Sequence, residues 1–592
     1  MIVAMKKTAI IVQSKDAQGA VLKLRSLGTL HVEYNRPPAS TNINALKEDI
    51  STVESAINIV SGPAVNKMPV AGQLKLTDWK SVAGHIVDLA KRLEQLSAYS
   101  LVIAGLIREW ERWGDFDPQE IEILQGKGIY TGFFQVPLKE ISLIPAGVVA
   151  KEVFRRSGFA HYIIISQGKP ELSFQQIPPP KMGLMKMRAR AYEDQRASEK
   201  IAEEICGHLV HLQALAEAKK DLEGQLEFHQ ALEGMGSQDN IAYLSGYIPI
   251  EQVGNLEKAA QQEQWGLLVR DPSDEETPPV LLRNPHWVRL IDPVLKMLGI
   301  SPGYRELDAS PVLLVFFSVF FGILIGDAGY GLAYLLLTAW FQKKKGINPR
   351  NADVFYLFYT LSSCAIIWGA LTATFFGQSW LVGCGIKPLV PALNEPAIMQ
   401  KFCFFIGALH LSIAHAWRGI LKFPHPSCLA DIGWIAVLWV SFYMAGALIL
   451  GQAFPAFGLP AALCGIALVL FFSEPRRNPL KGLVAGFVSV TFGLSFMSAF
   501  TDVVSYVRLF AVGLAAVAIA DTTNAMAAGL GAGVTGFSAG VLVRIVGHAL
   551  NIVLGPIAIL VHGVRLNVLE FGLNHTGLTW SGERYKPLQE SA

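Results

Sequence analysis

Hydrophobic and polar positions divide this chain in two. Up to about residue 300 apolar residues are interspersed with Lys, Glu, Gln and Asp, whereas from Pro311 to about Gly572 charges become sparse. Over 78–113, apolar or near-apolar side chains at Val82, Ile86, Leu89, Leu93, Leu96, Ile103, Ile107 and Trp110 follow steps of three and four, interrupted at Ser100. That is the seam of a coiled coil. Residues 193–235 repeat it more loosely at Ile201, Ile205, Leu212, Leu215, Leu222 and Leu226. Between them GIYTGFFQV and HYIIISQGK are expected as strands, around a helix at GVVAKEVFRRSG.

Two arrangements fit this pattern. Either the two helical stretches fold back on each other as an antiparallel coiled coil, or they join an ordinary helical bundle. The first puts an α/β lobe of residues 114–189 at the tip, the coiled coil at 41–113 and 190–235, and a second α/β lobe at the base from 1–40 and 236–305. A 35-residue helix reaches roughly 50 Å at about 1.5 Å per residue, long enough to hold something at a distance.

In the apolar half, Pro311 to Phe341 would make one helix of about 46 Å against a hydrocarbon core of about 30 Å. Further apolar segments lie at about 353–375, 400–417, 431–451, 459–473, 482–525 and 539–571. With 311–341 as a single span, the basic loops at 343–345, 417–422 and 474–481 would all face away from the cytoplasm, against the positive-inside rule. A tight turn at IGDAGYG restores all three, with backbone freedom from Gly326, Gly329 and Gly331 and with Asp327 capping the second helix. The expected fold is therefore an α+β cytoplasmic part plus an all-α membrane domain, 306–592, of eight transmembrane helices, with both termini cytoplasmic.

Composition agrees with this division. The chain has 592 residues, 51% hydrophobic and only 17% charged, too apolar for a purely soluble protein. Its net charge of +2 and the lack of a Lys/Arg cluster among aromatics argue against nucleic acid as a partner. The six cysteines form no C-x-x-C pair and give no sign of zinc or a disulfide framework. No phosphate-binding G-x-x-x-x-G-K-[ST] occurs, so nucleotide hydrolysis is not expected of this chain, and no cofactor is called for.

The last apolar segment carries Arg544, His548, Asn551, His562 and Arg565 within an arc of roughly 100° on an ideal helix. Charged groups inside a membrane are costly and face a bundle interior or a water-filled path. Arg544 and Glu570, near the segment ends, read as snorkelling anchors, and His548 and Asn551 can simply bond across helices. Arg508 and Arg565 are harder to dismiss, since neither has an acid at i+3 or i+4 and no suitable carboxylate is evident elsewhere in the chain. Arginine keeps its proton, so it can act only on another charge. At 4 Å and an effective dielectric near 20 it favours an adjacent carboxylate by about 4 kcal/mol, or roughly three pKa units. Small residues after Arg508 (Gly513, Ala515, Ala516, Ala518, Ala520) let another helix pack closely.

PPVLLRNP, YRELDASP, IGDAGYG, SYVRLFAVGLA, GHALN and HGVRLNVLEF together make the chain resemble subunit a, or subunit I, of the V-type and A-type rotary ATPases, over nearly its whole length. The resemblance implies a stator subunit whose soluble arm binds peripheral stalks, and through them the soluble ATPase subunits. Its last two long, tilted helices would face a rotor ring of small hydrophobic subunits bearing carboxylates. Arg508, and by motif Arg565, would stand between two ion half-channels; His548, Asn551, His562 and Glu570 would line the water path, with Ser505 beside Arg508. Where some relatives carry a carboxylate before the first arginine this chain has Ser495, and where some eukaryotic ones carry another before the second it has Gly555; Asp502 can stand in for the former. A secondary transporter would also put charges near the midplane, but with inverted repeats that the chain lacks, and a membrane-anchored scaffold would leave the charges incidental.

Overall fold

The computed structural model describes the chain except residues 35, 63–77, 146, 157, 347–351, 378–384, 386, 474–491, 531–532 and 590–592, and except the side chains of 492–495. The basic loop at 474–481 and the side chain of Ser495 therefore lie outside the described residues. The chain divides into two compact units, Ile10–Ser245 with Leu588–Ala592, and Met1–Ala9 with Gly246–Pro587.

In the first of these, long helices dominate. α2 (Thr41–Val60) packs on α3 (Trp79–Trp110) and α6 (Leu212–Glu233), while α3 packs on α5 (Leu184–Gly207). Ser40 and Asp78 start α2 and α3 by accepting the amides of Ile43 and Ser81, each at 3.2 Å. Val53, Ala56, Ile86, Leu215 and Leu222 form one stretch of the buried seam, and Leu89, Ile201 and Ile205 another. The second helical stretch is not continuous: a 3-10 turn at His208–His211 separates α5 from α6.

A four-stranded antiparallel sheet orders β4 (Val149–Arg156), β5 (Phe159–Gln167), β3 (Ile129–Pro137) and β6 (Gln175–Ile177). Residues 147–158, expected as a helix, instead supply β4, because Val149 to Arg156 pair with β5 through a bulge between Glu152 and Phe154. Trp110 and Trp113 each meet Phe133 edge to face beneath it, at centroid distances of 5.3 and 5.1 Å. A second sheet follows the order β2 (His31–Glu33), β8 (Ile241–Pro249), β1 (Met5–Gln13), β9 (Gly266–Arg270), with β7 (Gly236–Gln238) antiparallel to β8.

Most of the described residues between 310 and 576 are helical. Among the described residues, five segments are long and apolar enough to cross a membrane: Ala352–Thr372, Pro396–Lys422, Cys428–Leu450, Phe496–Gly529 and Val534–Thr576. A sixth is a bent pair, Ser310–Ile325 and Ala328–Lys345, which diverge by 120°, and Gly458–Phe472 is a shorter apolar helix. The bend follows from two neighbouring residues. Gly326, at φ 65°, ends the first limb with its amide on the Gly322 carbonyl at 2.9 Å. Asp327 then starts the second, its Oδ1 accepting the amides of Gly329 (2.7 Å) and Tyr330 (3.2 Å), while Oδ2 accepts that of Gly377 at 3.0 Å.

Candidate functional site

The two long segments at the C-terminal end carry the site. Phe492–Ser505 and Val507–Gly529 meet at Tyr506, and Arg508 is the second residue of the second helix. Val534–Ala558 continues as wider-wound π-helix over Ile559–Gly563 and Leu566–Thr576. A π turn rotates less per residue than an α turn, so the polar stripe expected on an ideal helix does not run straight. His562 and Arg565 come after the change of winding, and Arg544, His548 and Asn551 before it.

Arg508 donates from Nη2 to Glu570 Oε1 at 2.6 Å and from Nε to the Ser505 carbonyl at 2.9 Å. Arg565 donates from Nε to the same Glu570 oxygen at 3.3 Å. The sequence-based expectation that no carboxylate of this chain serves the arginines is thus corrected, because the partner of Arg508 comes from a distant helix, and that of Arg565 stands five residues on along the wider-wound part of its own. So is the reading of Glu570 as a snorkelling anchor, since its side chain is only 3% exposed. Its other oxygen, Oε2, is buried with no hydrogen-bond partner among the described residues. Two permanent cations therefore share one carboxylate oxygen, leaving one positive charge in excess. The Arg565 side chain is 57% exposed, on a helix whose apolar residues Leu560, Val561 and Leu569 also face outward.

Nearby, a row of polar groups crosses four helices. Asp502 Oδ2 accepts from Asn574 Nδ2 and meets His575 Nε2, each at 3.1 Å. His575 Nδ1 lies 3.0 Å from His415 Nε2, and His415 Nδ1 lies 3.1 Å from Asp431 Oδ1. Arg418 and Lys422 close the row, donating to Asp431 at 2.7 and 2.8 Å. Two neutral imidazoles carry two N–H hydrogens, whereas the three His contacts each need one. The row between the two carboxylates is satisfied only with one proton more than that. Sequence reading found Asp502 but missed His415, Asp431 and His575; His415 and Arg418 beside apolar residues in one membrane segment were the available signal.

A second polar group lies by the bent pair. Tyr330 Oη is 2.7 Å from His548 Nδ1 and accepts from Asn551 Nδ2 at 3.0 Å. Asn551 also donates to the Ala516 carbonyl at 2.8 Å, and His548 Nε2 meets Asn524 Oδ1 at 3.3 Å. His548 and Asn551 thus bond across helices. Ser505 donates to the Asp502 carbonyl at 2.6 Å, turning its hydroxyl into the helix. The site accordingly gathers Arg508, Arg565 and Glu570 at one point and Asp502 in the adjoining row, while Arg544, His548 and Asn551 lie farther back along Val534–Ala558; His562 makes no hydrogen bond among the described residues.

No protein-family model matches the chain. It is 29% identical to the V-type ATP synthase subunit I 1 of Treponema pallidum (strain Nichols), with 100% of both chains covered. It is 27% identical to the V-type ATP synthase subunit I of Borreliella burgdorferi, again over 100% of both. A solved cytoplasmic N-terminal domain of subunit I, described as a homolog of subunit a of V-ATPase, aligns with 45% of this chain and 100% of its own at 16% identity and a TM-score of 0.23, too loose a likeness to argue from.

Proposed function

As a full-length homologue of the V-type ATP synthase subunit I proteins, this chain is, we propose, the membrane stator subunit of a rotary ATPase, which supplies the ion half-channels and the arginines that release ions from a passing rotor carboxylate. The observation that carries the reading is the convergence of Arg508 and Arg565 on the single Glu570 oxygen. A further observation supports it. Only 22% of the most apolar 18-residue stretch of Phe496–Gly529 and of Val534–Thr576 is buried, against 50% for Pro396–Lys422. The helices that carry the arginines thus have the most surface left for lipid and for a ring of small hydrophobic subunits.

The chemistry runs as follows. A rotor carboxylate that carries its ion is neutral and can face lipid. Next to Arg508 its charged form is favoured by about 4 kcal/mol, so the ion leaves. Because guanidinium keeps its own proton, the arginine itself conducts nothing, and it blocks a direct path between the half-channels. Asp502, His575, His415 and Asp431 would form a proton-conducting row on one side. His548 and Asn551, with His562, would line the path on the other.

In this reading the membrane domain crosses eight times, counting both limbs of the bent pair and Gly458–Phe472. The basic residues at 343–345 and 417–422 and both termini then lie in the cytoplasm. The soluble arm, built from the lobes at 1–40 with 236–305 and at 114–189 and from the coiled coil between them, would hold the peripheral stalks.

The deciding experiment is Arg508→Lys in the assembled complex, reconstituted in vesicles. Lysine gives up its proton when desolvated, so ATP-driven ion pumping should be abolished while the complex still assembles. Pumping close to that of the unaltered complex would overturn the reading.

A further inference from the structure

In the unit Ile10–Ser245, a cluster of metal-ligating side chains lies where α3 packs on α5. His85 projects from α3, Glu204 from the last turn of α5, and His208 from the first position of the 3-10 turn that follows. One ligand atom from each falls within 4.8 Å of the other two. His85 Nε2 lies 2.9 Å from Glu204 Oε1, and the His85 and His208 rings meet edge-on at 5.6 Å. The local winding sets a further imidazole beside them. In a 3-10 turn residues i and i+3 eclipse, which brings the ring of His211 to 5.7 Å from that of His208. His211 Nδ1 is buried without a hydrogen-bond partner among the described residues.

An exposed ion pair accounts for His85 and Glu204 alone, whose side chains are 50% and 51% exposed, and such a pair contributes little. It does not account for two more imidazoles gathered around it, one with an unused lone pair or N–H. Nor do these residues serve the seam, which is filled alongside by Ile86, Leu89, Ile201 and Ile205. A cation that accepts a lone pair from each of His85, Glu204 and His208, whose ligand atoms lie within 4.8 Å of one another, accounts for their gathering.

We propose that His85, Glu204 and His208 bind a divalent transition-metal ion and so fasten α3 to α5. Imidazole nitrogens with a single carboxylate suit Zn²⁺, and also Ni²⁺ or Cu²⁺, and disfavour Mg²⁺ and Ca²⁺, which take oxygen ligands. Glu204 and His208, four residues apart at the end of a helix, lie one turn from each other on a single face. His85 comes from 119 residues away, so the ion would cross-link two helices that are remote in sequence.

The test uses the full chain in detergent, stripped with a chelator and titrated with ZnCl₂ by calorimetry. The unaltered chain should bind one Zn²⁺ at this site, and its thermal midpoint should rise with Zn²⁺. His85→Ala with His208→Ala should weaken that binding at least tenfold and remove the thermal shift, whereas His229→Ala, on α6, should leave both unchanged. Glu204→Gln, which keeps the side chain's shape, should weaken binding without altering the circular dichroism of the unloaded chain. Zn²⁺ binding of equal tightness in the double variant, or no saturable binding in the unaltered chain, would overturn the proposal.

Discussion

Arg508 and Glu570 stand 62 residues apart in the chain and are joined at 2.6 Å, with Arg565 on the same carboxylate oxygen. Glu570 is therefore the group that keeps two cations together in an apolar setting. Glu570→Gln retains an oxygen acceptor but removes the charge. ATP-driven pumping in vesicles is expected to fall by about a factor of ten or more, the rate effect of about 1.4 kcal/mol, with the complex still assembled. Unchanged pumping would mean that Glu570 only fills space between the helices.

Asp431 is 1% exposed and holds His415, Arg418 and Lys422 together. Asp431→Asn leaves the partly buried cations without a counter-charge and should lower stability by about 3 kcal/mol. Thermal unfolding of the detergent-solubilised chain measures this. Adding Arg418→Leu to that variant should recover part of the loss, since it removes a charge left unpaired. A double variant less stable than the sum of both single changes would contradict the account.

Much of this organisation was legible in the sequence, and the limits have physical causes. Seam positions such as Ile86, Leu89, Ile201 and Leu215 announce themselves because helical periodicity is local. So does the Asp327 turn, where one carboxylate follows one glycine between two apolar runs. Residues 147–158 mislead for the same reason: Val149 and Val153 fall at helical spacing, while the pairing with β5 that makes them a strand is a tertiary fact. The partner of Arg508 was invisible because a search at i±3 and i±4 finds only neighbours on one helix. The contact of His415 with His575 spans 160 residues and escapes in the same way.

Asp327 accepts three backbone amides and is 1% exposed. Asp327→Ala strands those donors in the protein interior, at a cost of about 1–3 kcal/mol. A drop in the thermal midpoint of the solubilised chain is the expected outcome, larger than for Asp327→Asn, which keeps one acceptor. Equal midpoints for both variants would show that the carboxylate does not hold the bend.

Outside the membrane segments, Glu276 gives a pH dependence of known sign. The guanidinium of Arg270, then the ammonium of Lys7 and the Ser273 amide, outweigh burial and hold its carboxyl down to about 2 from an ordinary 4.5. A depressed carboxylate stabilises the fold fully above its unfolded pKa and loses that contribution as pH falls through its folded one. Hydrogen-exchange protection in β1 and β9, corrected for the intrinsic pH dependence of amide exchange, should therefore fall between about pH 4.5 and about 2. In Glu276→Gln this acid-induced part should be absent, and exchange already faster at neutral pH. An identical acid response in the variant would rule Glu276 out as its source.

The shared oxygen of Glu570 has one more consequence. Arg508 is never without an anion: on the proposed reading, a rotor acid that arrives displaces one carboxylate with another, and on departure the original partner returns. Such an exchange starts and finishes at nearly the same energy, so the arginine does not become a trap. Nothing in it favours clockwise over anticlockwise rotation, and the direction of turning is left to the ion gradient and the supply of ATP.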